Sequence, residues 1–216
     1  MMQQERDMRG RSGSLSLTRG LPICPQLSLS QVACLRKSWK HINTKGLMTV
    51  LARVFQRLSS SCPAASRSFS AATLALQPGA TRTIGDHAKC LLNLLDRFLE
   101  GEQDEEELRE IGSKHAFLSV EYGVTVEDVD RFQEIFVDVF LKLDGIKQSK
   151  EASRAWRLLI CEMVDIFRDG FETQCRQLRR KHSFNAHTEY FERRASIIPR
   201  KASLNYDPRN MKRLEF

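Results

Sequence analysis

Leu108-Arg109-Glu110-Ile111-Gly112-Ser113-Lys114-His115 decides how the rest of this 216-residue chain is read. Leu108, Ile111 and His115 recur at helical spacing, and side chains three, four and seven apart share one helix surface. The imidazole therefore lies on an apolar stripe that faces a core. The acidic run Glu102 to Glu107 just upstream opens this helix, because negative charge suits a positive helix N-terminus. The preceding helix, starting near Thr83, carries His87 on one face with Leu91, Leu94, Leu95 and Phe98. Two inward imidazoles thus sit on consecutive helices, 28 residues apart. A buried imidazole must satisfy two ring nitrogens. For a lone histidine the ordinary answer is a bond to a carbonyl or carboxylate. Two of them among Phe and Leu point to a flat apolar cofactor with iron at its centre. Zinc would want four ligands; Cys90 is near His87, but no second cysteine or carboxylate completes the set.

The same periodicity extends outward. Six amphipathic segments fit the i, i+3, i+4, i+7 template between Leu29 and Leu178. The first holds Val32, Leu35, Trp39 and Ile42, with Ser28 or Ser30 as N-cap. The second holds Leu47, Val50, Leu51, Val54, Phe55 and Leu58 and stops before Pro63. A looser stretch with Phe69 ends near Pro78-Gly79. The fifth helix holds Val129, Phe132, Phe136, Val139, Phe140 and Leu143 and closes at Gly145. The sixth holds Trp156, Leu159, Ile160, Met163 and Phe167 and closes near Gly170. Phe117 to Val126 reads as strand by propensity. It has no second strand to pair with and is taken as a corner between helices.

Composition narrows the class. The chain suits one core. It shows no apolar run long enough to cross a bilayer and no signal peptide, so a cytoplasmic protein with reduced thiols is expected. Charge separates three regions. Residues 1–27, read as a disordered basic arm, carry net +2. Residues 28–175, the expected domain, carry 19 basic and 21 acidic residues. Residues 176–216, read as a disordered basic tail, carry eleven Lys and Arg against four acidic residues. A near-neutral middle argues against nucleic-acid binding. The tail suits weak contact with an anionic membrane or an acidic partner.

The ordered set of landmarks resembles the globin family, and within it the nematode globin-like proteins. Leu108-x-x-Ile111-x-x-x-His115-Ala116 is similar to the globin proximal-histidine helix, and His87-Ala88-x-x-Leu91 to the distal one. Pro63 followed by Phe69 resembles the helix-C proline and the phenylalanine that packs on the haem. Trp39 within Arg36-Lys37-Ser38-Trp39, Gly112-x-x-His115 and Ala155-Trp156 carry the nematode likeness. Val54 falls near the distal position of helix B, with Leu58 one turn on. The stretch from Phe69 to His87 is short for the family, which implies no helix D.

The resemblance implies an all-α globin fold, a three-on-three helical sandwich over 28–175, with disordered terminal extensions. It implies haem b (iron protoporphyrin IX) held by Phe69, His87, Leu91, Ile111 and His115. His115 would be the proximal iron ligand. His87 would be either a hydrogen-bond donor to the bound gas or a sixth ligand. Reversible binding of oxygen or another diatomic gas follows, with a gas or redox sensor favoured over a bulk carrier. Two alternatives stand beside it. One is a haem redox enzyme with a reductase partner, acting in electron transfer or in nitric oxide or peroxide consumption. The other is a haem-free interaction module. Arg193-Arg194-Ala195-Ser196 and Arg200-Lys201-Ala202-Ser203 read as phosphorylation sites at Ser196 and Ser203, each able to weaken an electrostatic contact with a membrane or signalling partner. No Gly-rich phosphate loop or Ser/His/Asp order is present.

Overall fold

The computed structural model describes residues 27–42, 44–74, 83–102 and 105–197. Two compact units are present, Met1–Cys175 and Arg176–Phe216. In the first, the described residues form helices and short connections with no strand. The helices are α1 (Leu29–His41), α2 (Thr44–Ser61), α3 (Pro63–Leu74), α4 (Ile84–Glu100), α5 (Glu105–His115), α6 (Phe117–Glu121), α7 (Val126–Phe140), α8 (Asp144–Lys147) and α9 (Lys150–Ile197). This is the all-α globin fold that the sequence leads one to expect. Helix α2 packs against α3, α4 and α7, and α1 packs against α8.

Local chemistry sets the boundaries. Ser28 caps α1, with Gln31 reaching back to its amide at 2.9 Å. Thr83 caps α4, and Asp86 returns the bond to the Thr83 amide at 2.9 Å. Such caps satisfy donors left unpaired at a helix start and are worth about 1 kcal/mol each. Helix α4 ends at Gly101, whose φ of 80° is the left-handed conformation that only glycine adopts cheaply.

The corner expected at Phe117 to Val126 is present in more detail, and two other readings from sequence need correction. Phe117–Glu121 is helical, and the chain then turns through Gly123 at φ 74° into a Thr125–Asp128 capping box. Strand propensity gives way there because no partner strand exists to complete a ladder. The looser stretch after Pro63 is a helix of 12 residues, α3. Gly170 does not close the last helix; α9 runs on through it to Ile197. Residues 176–197, read as part of a disordered tail, are thus helical. The arm at 1–26, the stretch 75–82 where helix D would fall, and Ser203 lie outside the described residues. Ser196 lies within α9.

Two tryptophans lock α1 into the core. Trp156 is fully buried, and its indole N–H donates to the buried Ser38 hydroxyl at 2.8 Å. Ser38 in turn donates to the Leu35 carbonyl at 2.9 Å. Trp39 lies tilted against Trp156 with ring centroids 5.6 Å apart and donates to Asp96 on α4 at 2.7 Å. Ser38→Ala strands the Trp156 N–H away from water, a loss of about 2 kcal/mol. The melting temperature is expected to fall by roughly 4–8 °C. An unchanged thermal melt would show that the Trp156–Ser38 bond carries no stability.

Candidate functional site

The apolar stripes of α4 and α5 do not close on each other. Between them and α2, α3, α7 and α9 lies a cavity of about 530 Å³. Phe69, His87, Leu91, Ile111 and His115 all line it. These side chains are only half-buried although they sit on core-facing stripes. Their exposed faces open into the cavity, so the fold holds apolar surface that its own residues leave uncovered.

Each imidazole is held the same way. His115 Nδ1 lies 2.8 Å from the Ile111 carbonyl, one turn back on α5. His87 Nδ1 lies 2.9 Å from the Thr83 carbonyl, one turn back on α4. Phe69 meets the His87 ring edge-on at 5.1 Å, and Phe55 lies against it at 5.5 Å. Phe132 stacks on Phe55 at 5.6 Å. On the other side Phe167 meets His115 edge-on at 5.3 Å. The walls are thus aromatic, with polar side chains such as Ser68, Asn93, Arg97, Glu107 and Asp128 also on the lining. Arg97 and Glu107 join α4 to α5 through a two-fold contact at 2.7 Å. Both are well exposed, so this pair fixes geometry more than it adds stability.

Sequence reasoning placed Val54 toward the pocket; the structure puts Phe55 there instead. Val54 is fully buried but does not line the cavity, whereas Phe55 and Leu58 do. Residues 54 and 55 both lie within one turn of Leu58 on α2, so helical spacing alone does not choose between them. Phe167 and Phe171 were missed as lining residues. They belong to a helix whose pairing with α5 is set by distant glycines rather than by any local pattern.

Burial pushes the His115 pKa below its ordinary 6.5, and a positive charge on His87 lowers it further, while the bond to Ile111 acts the other way. The unfolded chain therefore takes up a proton near pH 6.5 that the folded chain resists. This contribution to stability is complete above 6.5 and is lost as the pH falls below it. In the hemin-free chain, the urea midpoint is expected to drop between about pH 7 and pH 5 more steeply than in His115→Leu. Identical slopes would contradict the burial of a neutral imidazole at this position.

No third His, Cys, Asp or Glu joins the two imidazoles in a metal-holding group among the described residues. Two ring nitrogens facing an apolar slot suit a planar ligand that brings its own equatorial donors. No helix among the described residues is long and apolar enough to cross a membrane.

Helices around an apolar slot lined by two imidazoles define a class of all-α ligand-pocket proteins. Comparison with known proteins is more specific. Over 184 residues the chain is 31% identical to Globin-like protein 9 of Caenorhabditis briggsae, across 81% of this chain and 75% of that protein. It is 30% identical over 184 residues to Globin-like protein 9 of Caenorhabditis elegans, across 81% of this chain and 74% of that one. The chain belongs to the globin family. No family model matches it, and no solved structure matches it.

Proposed function

We propose that this globin binds haem b and, through it, reversibly binds oxygen or another diatomic gas. One observation carries the reading: two imidazoles, each with Nδ1 tied to a backbone carbonyl, line one apolar cavity of about 530 Å³. That volume lies within the range of small-molecule and cofactor pockets. The residues fit the group. His115 is the main iron ligand, its ring angle set by the Ile111 carbonyl. Phe69, Leu91 and Ile111 cover the flat apolar faces. Ser68, Asn93 and Arg97 offer polar groups to an edge that stays wet. When bound, haem supplies an iron that takes up a diatomic gas. The chain supplies a ligand, a dry slot and the exclusion of water from it.

A sensor or redox role is proposed over bulk carriage. Helix α5, which carries His115, packs backbone-to-backbone on α9 at Gly112 and Gly170. A shift at His115 would thus be felt directly by α9. The basic segment 176–216 would supply contact with an acidic signalling partner, a reductase or an anionic membrane, adjusted by phosphorylation at Ser196 and Ser203.

Hemin titration of the purified full-length chain tests the reading. A Soret band saturating at one hemin per chain is expected. A colourless protein after gel filtration overturns haem binding and leaves the globin fold as an interaction module.

A further inference from the structure

The first compact unit ends at Cys175, yet α9 continues as helix to Ile197. Residues 176–197 therefore add about 33 Å of helix in the second unit. Helices in water draw most of their stability from packing an apolar face. What could cover this one is set by which of its positions share a face.

At about 100° per residue, three stripes separate along it. Phe184 and Phe191, seven positions apart, share one stripe. Tyr190 and Ile197, again seven apart, share a second, with Arg179 at its start. Arg176, Arg180, His187 and Arg194 fall between the two. Glu189 and Glu192 fall on the opposite side of the helix. Residues 176–197 carry six Lys and Arg against those two acids, net +4. Arg179, Arg180 and Lys181 are exposed.

That order argues against a bilayer surface. A helix lying in a membrane interface needs one apolar face, with its charge on the other. Here basic positions occupy the middle and apolar ones flank them. Such an arrangement suits a partner that wraps the helix. Two apolar grooves would take the flanking stripes, and an acidic surface the basic stripe between them. Calcium sensors of the EF-hand class offer that chemistry, since calcium opens Met-rich grooves on them that accept helices.

We propose that α9 beyond Cys175 is the docking helix for an acidic, calcium-loaded EF-hand sensor. This names the acidic signalling partner proposed above for the basic segment and rests on that reading; it does not depend on haem. Phe184 and Phe191 anchor one groove, and Tyr190 and Ile197 the other. The basic stripe supplies charge complementarity, which speeds encounter and weakens with salt.

The test titrates the full-length chain with calcium-loaded calmodulin as the probe, read by calorimetry. A one-to-one complex of about micromolar affinity or tighter is expected, and its loss when calcium is chelated. Phe184→Ala with Phe191→Ala is expected to weaken it about a hundredfold, because buried aromatic anchors dominate such interfaces. Alanine is the better helix former, so this loss would not report a broken helix. Arg180→Ala with Arg194→Ala is expected to weaken binding at low salt and to flatten its salt dependence. No complex in calcium, a complex that survives chelation, or affinity unchanged by either pair overturns the proposal. Sedimentation with phosphatidylserine vesicles separates the two levels of failure. Vesicle binding without calmodulin binding overturns the calcium-sensor proposal and keeps the basic segment as a contact surface. Binding to neither overturns both.

Discussion

His115→Ala is expected to remove stable haem retention, with hemin affinity falling by more than about a hundredfold. Loss of a group that merely orients a metal ligand costs about ten- to a hundredfold in metal affinity, and here the ligand itself goes. His87 does not compensate, because its ring hangs on the first turn of α4. His115 sits where α5 is fixed to α9 by the Ser113 hydroxyl on the Gly170 carbonyl at 3.2 Å and by Arg109 on Asp169 at 2.9 Å. Alanine also leaves a ring-sized space beside Phe167. Free imidazole should enter that space and restore the Soret band, a rescue that a misfolded variant would not show. Gel filtration after hemin loading reads the result. Haem content equal to wild type without added imidazole would show that His115 is not the main ligand. Loss of haem also lowers apparent stability, since a ligand that binds only the folded chain stabilises it by mass action.

How far the site could be read from sequence follows from the range of the interactions involved. His87 with Leu91, and His115 with Ile111, were legible because helical period alone puts them on one face. Thr83 was legible as a helix start because its capping partner Asp86 lies three residues on. Phe55 was misplaced by one residue, since Val54 and Phe55 are both buried and only packing against Phe69 and Phe132 shows which faces the cavity. The Trp156–Ser38 bond joins residues 118 apart, and no local pattern announces it. Phe117 to Val126 favours strand locally, but the chain gives it neither a partner nor the length for a sheet. Gly170 was the instructive error. Glycine near the end of an apolar stripe ordinarily signals a helix stop. Here its role is set by the Arg109 backbone, far away in sequence and in close contact in space.

Gly170→Ala is therefore expected to destabilise the protein severely, against the direction that helix propensity gives. In a helix interior, alanine is favoured over glycine by about 1 kcal/mol. At Gly170, however, an added Cβ would overlap the Arg109 carbonyl oxygen and come within 2.8 Å of its carbon. At Gly112 it would overlap the Phe167 carbonyl oxygen and come within 3.0 Å of the Phe171 amide nitrogen. Both obstacles are backbone, so no side chain can rotate aside. The helices must part instead, opening the contacts that Cys175, Phe167 and Phe171 make beside α5. Overpacking of this kind typically costs 1–3 kcal/mol and here should reach about 3 or more, outweighing the propensity gain. Against a total stability of about 5–15 kcal/mol, that is a large fraction. Gly85→Ala is the matched control. Its Cβ would meet only the Thr83 hydroxyl, at 3.6 Å, so propensity should win and stability hold or rise. Urea unfolding of the three proteins separates the cases. Gly112→Ala combined with Gly170→Ala should cost much less than the two losses added together, because one methyl already forces the helices apart. Additive losses, or a Gly170→Ala protein as stable as Gly85→Ala, would show that α5 does not rest on α9 at this crossing.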